Sequence, residues 1–263
     1  MKQYHQEASA FVYENQIFVA GGCTASRDTD GMEVLKIDEQ PLKWTESPAK
    51  LPFKCGAHKT VVYQNSLIHI GGFNTTEKKY SDTISEVLLT PPYRKKLLCR
   101  LPQPRMYHGV EIFNDKILIL GGSTSYSSKN GENSVFVYDV NKNKLKAMPS
   151  LPHAVSKMAT VRWGDKVVVI GGCDKDGKDL SDVLMYDSKT GESNVLPSML
   201  HKRYGCSAII TGNVIVVMGG WNEKCEYLSS VECFTLGGFS WEELPPMIEP
   251  RYLATAVVMP STF

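Results

Sequence analysis

Leu118-Ile119-Leu120-Gly121-Gly122 is a strand-sized apolar run closed by a glycine pair, and it recurs along the chain. Upstream lie Phe18-Val19-Ala20-Gly21-Gly22 and Ile68-His69-Ile70-Gly71-Gly72; downstream lie Val168-Val169-Ile170-Gly171-Gly172 and Val216-Val217-Met218-Gly219-Gly220. The first glycines stand at 21, 71, 121, 171 and 219, so the intervals are 50, 50, 50 and 48. A fixed period of this size marks an array of supersecondary units, each unable to bury its own faces without a neighbour.

A second landmark keeps the same register. Ile37, Trp44 and Pro48 are spaced seven and then four apart, as are Tyr138, Leu145 and Pro149, Tyr186, Ser193 and Pro197, and Phe234, Trp241 and Pro245. Only the second repeat slips: Leu88 and Leu98 are ten apart, with a lengthened turn at Thr90-Pro91-Pro92-Tyr93-Arg94, before Pro102 restores the register. One unit reads as four short strands; in the third these are Gly109–Phe113, Lys116–Leu120, 135–140 and Lys144–Met148, with Asn114-Asp115 as the tight turn between the first two. The glycine pairs Gly21/Gly22, Gly71/Gly72, Gly121/Gly122, Gly171/Gly172 and Gly219/Gly220 allow close backbone approach and dihedral angles that a Cβ would oppose.

Apolar strand, Gly-Gly, then Tyr or a substitute, then Trp, at a period near 50, resembles the kelch repeat, and most resembles the kelch domain of BTB-kelch (kelch-like) adaptor proteins. The likeness covers nearly the whole chain, though Leu98, Leu145 and Ser193 depart from Trp. It implies an all-β kelch-type β-propeller of four-stranded antiparallel blades, with Trp44, Trp241, Tyr138 and Tyr186 as inter-blade packing residues. The repeats divide at about 1–52, 53–103, 104–152, 153–201 and 202–250 within a single domain of 1–263. Pro250-Arg251-Tyr252 echoes Pro104-Arg105-Met106, so residues 251–263 are expected as one extra strand. The expectation is five complete repeats plus one strand of a sixth; closure as a five-bladed ring is the alternative.

Bulk properties narrow the function. The 263 residues carry 29 Lys+Arg against 28 Asp+Glu, a formal charge of +1, which gives no basic footprint for nucleic acid or an anionic membrane. The N-terminus has no apolar signal core, and the seven cysteines are odd in number without a CxxC pair. Reduced thiols in a cytoplasmic protein are the expectation, with Cys206 and Cys233 as small core residues.

Strand alternation puts the loops after the second strand of each blade and the links to the next blade on one face. The loops are 23–31, 73–82, 123–133, 173–181 and 221–229, and they carry Phe73, Tyr80, Tyr126, Trp221 and Tyr227 beside charges such as Arg27, Asp28, Lys129, Asp174 and Glu223. Aromatic side chains dominate the energetic centres of protein interfaces, and long varied loops on a rigid frame carry recognition. The links add Arg105, Tyr107, Lys157, Arg203, Arg251, Tyr252, His153 and His201. Exposed arginines there would favour an acidic protein or peptide partner; the competing structural reading is that Arg105, Arg203 and Arg251 brace blades through backbone carbonyls. Relatives that grip acidic peptides place basic residues two positions further on, where this chain has Glu7, Ala57, Tyr107, Lys157 and Gly205, so that pocket is not reproduced.

Some kelch propellers are copper oxidases or sugar epimerases. The six histidines (His5, His58, His69, His108, His153, His201) show no metal-like local spacing, and no GxSxG, HExxH or phosphate-cradling loop is present. His58 and His108 hold equivalent positions, for which packing is the favoured role. No catalytic residue, metal or cofactor is therefore expected. The resemblance implies a protein-binding module like the substrate-reading half of cullin-type ubiquitin ligase adaptors. Because repeats begin within the first ten residues, no BTB domain is expected in this chain, and ligase recruitment would need linkage to a BTB protein. Actin binding and a carbohydrate-processing propeller are the alternatives.

Overall fold

The computed structural model describes residues 1, 5–24, 28–224 and 226–259. Two compact units are formed, residues 1–106 together with the C-terminal residues from 255, and residues 107–254.

In the first unit, β1 (Ser9–Tyr13), β2 (Gln16–Ala20), β3 (Met32–Lys36) and β4 (Trp44–Glu46) form an antiparallel sheet in chain order. A small three-stranded sheet joins β5 (Cys55–Gly56), β8 (Phe73–Asn74) and β9 (Lys79–Tyr80). The second four-stranded sheet is made by β6 (Lys59–Tyr63), β7 (Ser66–Ile70), β10 (Thr83–Leu88) and β11 (Lys95–Arg100). A register shift between Ile84 and Ser85 in the β10–β11 ladder accompanies the longer turn that the sequence places after Leu88.

The second unit holds three sheets, each in chain order: β12 (Gly109–Phe113), β13 (Lys116–Leu120), β14 (Val135–Asp139), β15 (Lys144–Met148); β16 (Ala159–Trp163), β17 (Lys166–Ile170), β18 (Val183–Asp187), β19 (Ser193–Leu196); and β20 (Ser207–Thr211), β21 (Val214–Met218), β22 (Val231–Thr235), β23 (Glu242–Leu244). The chain is thus an all-β assembly of five four-stranded antiparallel kelch blades; a single turn of 3-10 helix at Ser128–Asn130 is the one helical element among the described residues.

Each blade begins with a two-residue hairpin, as the pairings Tyr13↔Gln16 and Phe113↔Lys116 show. Glu14 and Asn15, Asn114, Gly164 and Gly212 take the positive φ such turns need. The inner strands β7, β13 and β17 are nearly wholly buried, which explains why they read as unbroken apolar runs. Blades pack face to face. Phe11, Phe18, Met32, Leu51, Leu67 and Val87 share a core in the first unit. In the second, Leu118, Leu120, Leu151, Val169 and Tyr186 form one core, and Val168, Val183, Ile215, Phe234 and Trp241 another, with Cys206 a small member of it as the sequence suggests. Its thiol is pushed up to about 11 by burial.

Aromatic residues at the blade edge tie neighbours together. Trp241 stacks on Phe234, with centroids 5.3 Å apart, and its Nε1 donates to Pro197 O at 2.8 Å. One blade earlier, the Tyr186 hydroxyl donates to Pro149 O at 2.7 Å. Tyr138 is equally buried, its hydroxyl donating to Asn143 Oδ1 at 2.7 Å. Trp44 is only half-buried on the short strand β4. After β23 the backbone follows the link pattern of the other repeats: Gly220 N donates to Arg251 O at 2.7 Å, as Gly172 N does to Arg203 O at 2.9 Å. Leu253 N then reaches Gly205 O at 2.8 Å, and Ser207 Oγ donates to Ala254 O. Residues 254–259 run on without a strand ladder, and residues 260–263 of the expected extra strand lie outside the described residues.

Candidate functional site

The residue following each glycine pair starts a second, smaller pairing layer. Phe73 pairs with Gly56 and with Tyr80; Cys23 bridges Gln6 and Asp28; Cys173 bridges Ser156 and Asp179; Trp221 bridges Tyr204 and Tyr227. The link into each blade and the loop after its second strand are therefore hydrogen-bonded to each other on one side of the blade. The loops expected to be merely long and exposed are pinned ribbons that hold their first side chains in set positions. Arg27 and Cys225 lie outside the described residues.

At the inner end of this layer, one repeat position has left-handed backbone throughout: φ is 59° at Glu7, 56° at Ala57, 53° at Tyr107, 55° at Lys157, 63° at Gly205 and 52° at Leu253. Within each unit, neighbouring blades are linked through this position. Ala57 N donates to Glu7 O at 3.1 Å in the first unit; in the second, Lys157 N donates to Tyr107 O at 2.9 Å and Gly205 N to Lys157 O at 2.7 Å. A non-glycine residue held in this region costs of order 1 kcal/mol and persists where its surroundings over-determine it. The side chains of Tyr107 and Lys157 are thereby presented from a rigid seam.

On the second unit these pieces make a continuous aromatic arc. Tyr126 packs edge-on against Tyr107 at 6.2 Å. Lys157 Nζ stands between two rings, 5.1 Å from the centroid of Tyr107 and 4.9 Å from that of Tyr204. Tyr204 contacts Trp221 at 5.2 Å and Tyr252 at 5.7 Å, and Tyr252 contacts Tyr227 at 5.9 Å. Tyr126 is 48% and Tyr227 61% exposed. The structure thus brings together Tyr107, Tyr126, Lys157, Trp221, Tyr227 and Tyr252 from the sequence reading. Tyr204 at the centre was missed: it follows Arg203, and only the Tyr204↔Trp221 bridge shows that it faces the arc. Phe73 and Tyr80 form a separate half-buried pair in the first unit, centroids 5.2 Å apart.

The arginines are a correction. Arg203 and Arg105 are fully buried, so neither offers an exposed guanidinium to a partner. Arg203 donates to Gly219 O at 2.7 Å, Ser230 O at 3.2 Å and Ser230 Oγ at 2.9 Å, and pairs with the buried carboxylate of Glu232. Glu232 in turn accepts from the amides of Leu200 at 2.7 Å and His201 at 3.2 Å. This is the bracing role, and His5, also sixteen residues before a first glycine, takes it too, bonding Gly21 O through Nδ1 at 2.8 Å beside buried Glu33, whereas Cys55 and Val155 hold that position in two other repeats. Arg251 is exposed, 3.6 Å from Glu249.

One cluster escaped the sequence reading. Cys55 Sγ lies 3.5 Å from His58 Nδ1 and 3.3 Å from His69 Nε2, all three residues buried, with the two imidazoles stacked at 5.0 Å. Burial pushes the Cys55 thiol well up, aided by the Asp30 and Asp28 carboxylates, and holds His69 down to about 3. Cys55-Gly-Ala-His58 was the available signal; His69 sits on the next strand and joins only through the fold. A cleft of about 590 Å³ elsewhere on the second unit, between Phe113, Leu145 and Met148 and bordered by Lys144, Lys189 and Asp165, holds none of the predicted site residues.

Repeat and blade architecture together define a kelch-repeat β-propeller. Residues 94–262, well over half of the chain, match the KLHDC2/KLHL20/DRC7 Kelch-repeats domain, and the chain belongs to that family. It is similar to Kelch-like protein 40 of Xenopus tropicalis, 28% identical over 162 residues, which are 60% of this chain and 25% of that protein. It is also similar to Kelch-like protein 41a of Danio rerio, 30% identical over 112 residues, 42% of this chain and 18% of that one. The matched region thus spans a quarter or less of these relatives' length. A solved structure titled "Structure of YjhT" shares the fold with a TM-score of 0.82 at 14% identity, covering 95% of this chain and 86% of that chain. Among the described residues no helix is long and apolar enough to cross a membrane.

Proposed function

We propose that the chain is a non-catalytic recognition module that binds a target protein or peptide on the loop face of the second unit, along the arc Tyr126–Tyr107–Lys157–Tyr204–Trp221–Tyr252–Tyr227. The observation that carries this reading is Lys157 Nζ held between Tyr107 and Tyr204. A cation fixed over two ring faces is already partly desolvated, so it loses little further hydration when it meets a carboxylate, while flanking rings offer rigid apolar area at small entropic cost. The partner that fits is an extended segment with bulky apolar side chains around one acidic residue. Lys157, among the binding residues expected from the sequence, takes the acid-selecting part that is one of the two readings of Arg105, Arg203 and Arg251.

A cytoplasmic substrate-reading role within a cullin-type ligase follows from the resemblance to kelch-like adaptors, with a BTB protein supplying recruitment. Affinity capture from a cytosolic extract tests the site, comparing wild type with Tyr126→Ala/Trp221→Ala/Tyr227→Ala after circular dichroism shows both folded. Partners held by the wild type and lost by the variant are expected. Identical captured sets overturn the arc as the binding surface; an assay of a sugar library against the wild type then tests the carbohydrate alternative.

A further inference from the structure

Cys55, His58 and His69 converge without any role in partner binding. Two different imidazole nitrogens address one sulphur at 3.3 and 3.5 Å, and the three donor atoms all lie within 4.8 Å of one another. Donors that share one ion, at about 2.3 Å for sulphur and 2.0–2.1 Å for nitrogen, stand about 3.5–3.8 Å apart, so both sulphur–nitrogen separations are already within a few tenths of an ångström of closure, and the two nitrogens need a shift of at most about an ångström. The fold holds the donors there. Cys55 is on β5, and the His58 ring and Cβ occupy space that a Cβ on Gly21 or Gly72 would enter at 2.7 Å. His69 is fixed mid-strand on β7 with Phe53 packed edge-on at 5.1 Å.

We propose that Cys55, His58 and His69 form a binding site for one soft monovalent d10 cation, Cu(I), coordinated by one thiolate and two neutral imidazoles. Thiolate and imidazole donors select copper or zinc over hard oxygen-seeking cations. The donor count decides between these: the described residues supply three donors, whereas structural zinc takes four. Loading is a proton exchange with no redox change: the Cys55 S–H bond breaks, its proton leaves to solvent, and an S–Cu bond forms as Cu(I) stays Cu(I).

The test titrates the folded, full chain anaerobically with Cu(I) presented as its bathocuproine disulfonate complex, in parallel with Zn(II), and records X-ray absorption of the copper-loaded protein. One equivalent of copper taken from the chelator, with one sulphur and two imidazole nitrogens around it, is expected. Cys55→Ser and, separately, His69→Gln should each lower the affinity at least tenfold. Absence of uptake, a preference for zinc, two or more sulphur ligands, or undiminished uptake by folded Cys55→Ser each overturns the proposal. If Cys55→Ser does not fold, the ligand set found in the wild type decides.

Discussion

Lys157 is bound to Tyr107 twice, its amide donating to the Tyr107 carbonyl at 2.9 Å and its ammonium standing 5.1 Å from the centre of the Tyr107 ring. Backbone and side chain of the same pair thus serve different ends. The amide link continues a blade-to-blade seam, and the ammonium–ring contact shapes the surface above it.

These two roles separate by mutation. Lys157→Gly keeps the seam and removes the cation, and glycine takes the φ of 55° without strain. The thermal midpoint should stay level or rise, by the equivalent of up to about 1 kcal/mol, while capture of an acidic partner falls. A melting point lowered by several degrees would place Lys157 among the structural residues instead.

Gly205 occupies the same position one blade on, with φ 63° and the Tyr252 ring against it, so an added Cβ would come within 2.8 Å of Tyr252 Cδ2. Gly205→Ala is expected to destabilise by about 1–3 kcal/mol and to displace Tyr252 from the arc. Denaturant titration with tyrosine and tryptophan fluorescence measures both effects; unchanged stability contradicts the packing of Tyr252 here.

Arg203 and Glu232 bury opposite charges in contact. Glu232→Ala strands the guanidinium and should cost about 3–5 kcal/mol in urea unfolding, much more than the Arg203→Met/Glu232→Leu pair, which removes both charges. Equal losses would mean that the carbonyl contacts, not the pair, carry the stability.

Trp241→Phe loses the hydrogen bond to Pro197 O but keeps a ring against Phe234, for a loss of about 1–2 kcal/mol. Trp241→Ala should cost about 3–5 kcal/mol. Similar thermal midpoints for the two variants would remove the ring stack on Phe234 from the account of how Trp241 stabilises the fold.

His69 is held neutral in the folded protein, its value lowered by burial from 6.5 to about 3. Below pH 6.5 the unfolded chain takes a proton that the folded chain refuses, so stability present above that pH is lost progressively as pH falls toward about 3. The slope attributable to one such group is about 1.4 kcal/mol per pH unit. His69→Gln should flatten the decline of the thermal midpoint between pH 6 and about 4; parallel declines would show that His69 does not control it.

The five blades were legible in the chain because a 48–50 residue period repeats the same local chemistry: an apolar strand for the inner ladder, a glycine pair where backbone closes in, and an aromatic at the blade edge. Period 2 alternation and turn chemistry are short-range properties, so they can be read without coordinates. The common side shared by loops and links was legible for the same reason, since strand direction alternates by necessity.

Tertiary structure alone decided which side chains meet. Arg203 and Arg251 occupy equivalent repeat positions, yet one is sealed against Gly219 and Glu232 while the other is exposed beside Glu249. Tyr204 entered the arc, and His69 joined Cys55 and His58, through pairings that span 17 and 14 residues. Residues that distant are brought together by how strands fold back and pair, and no local pattern in the sequence encodes that distance.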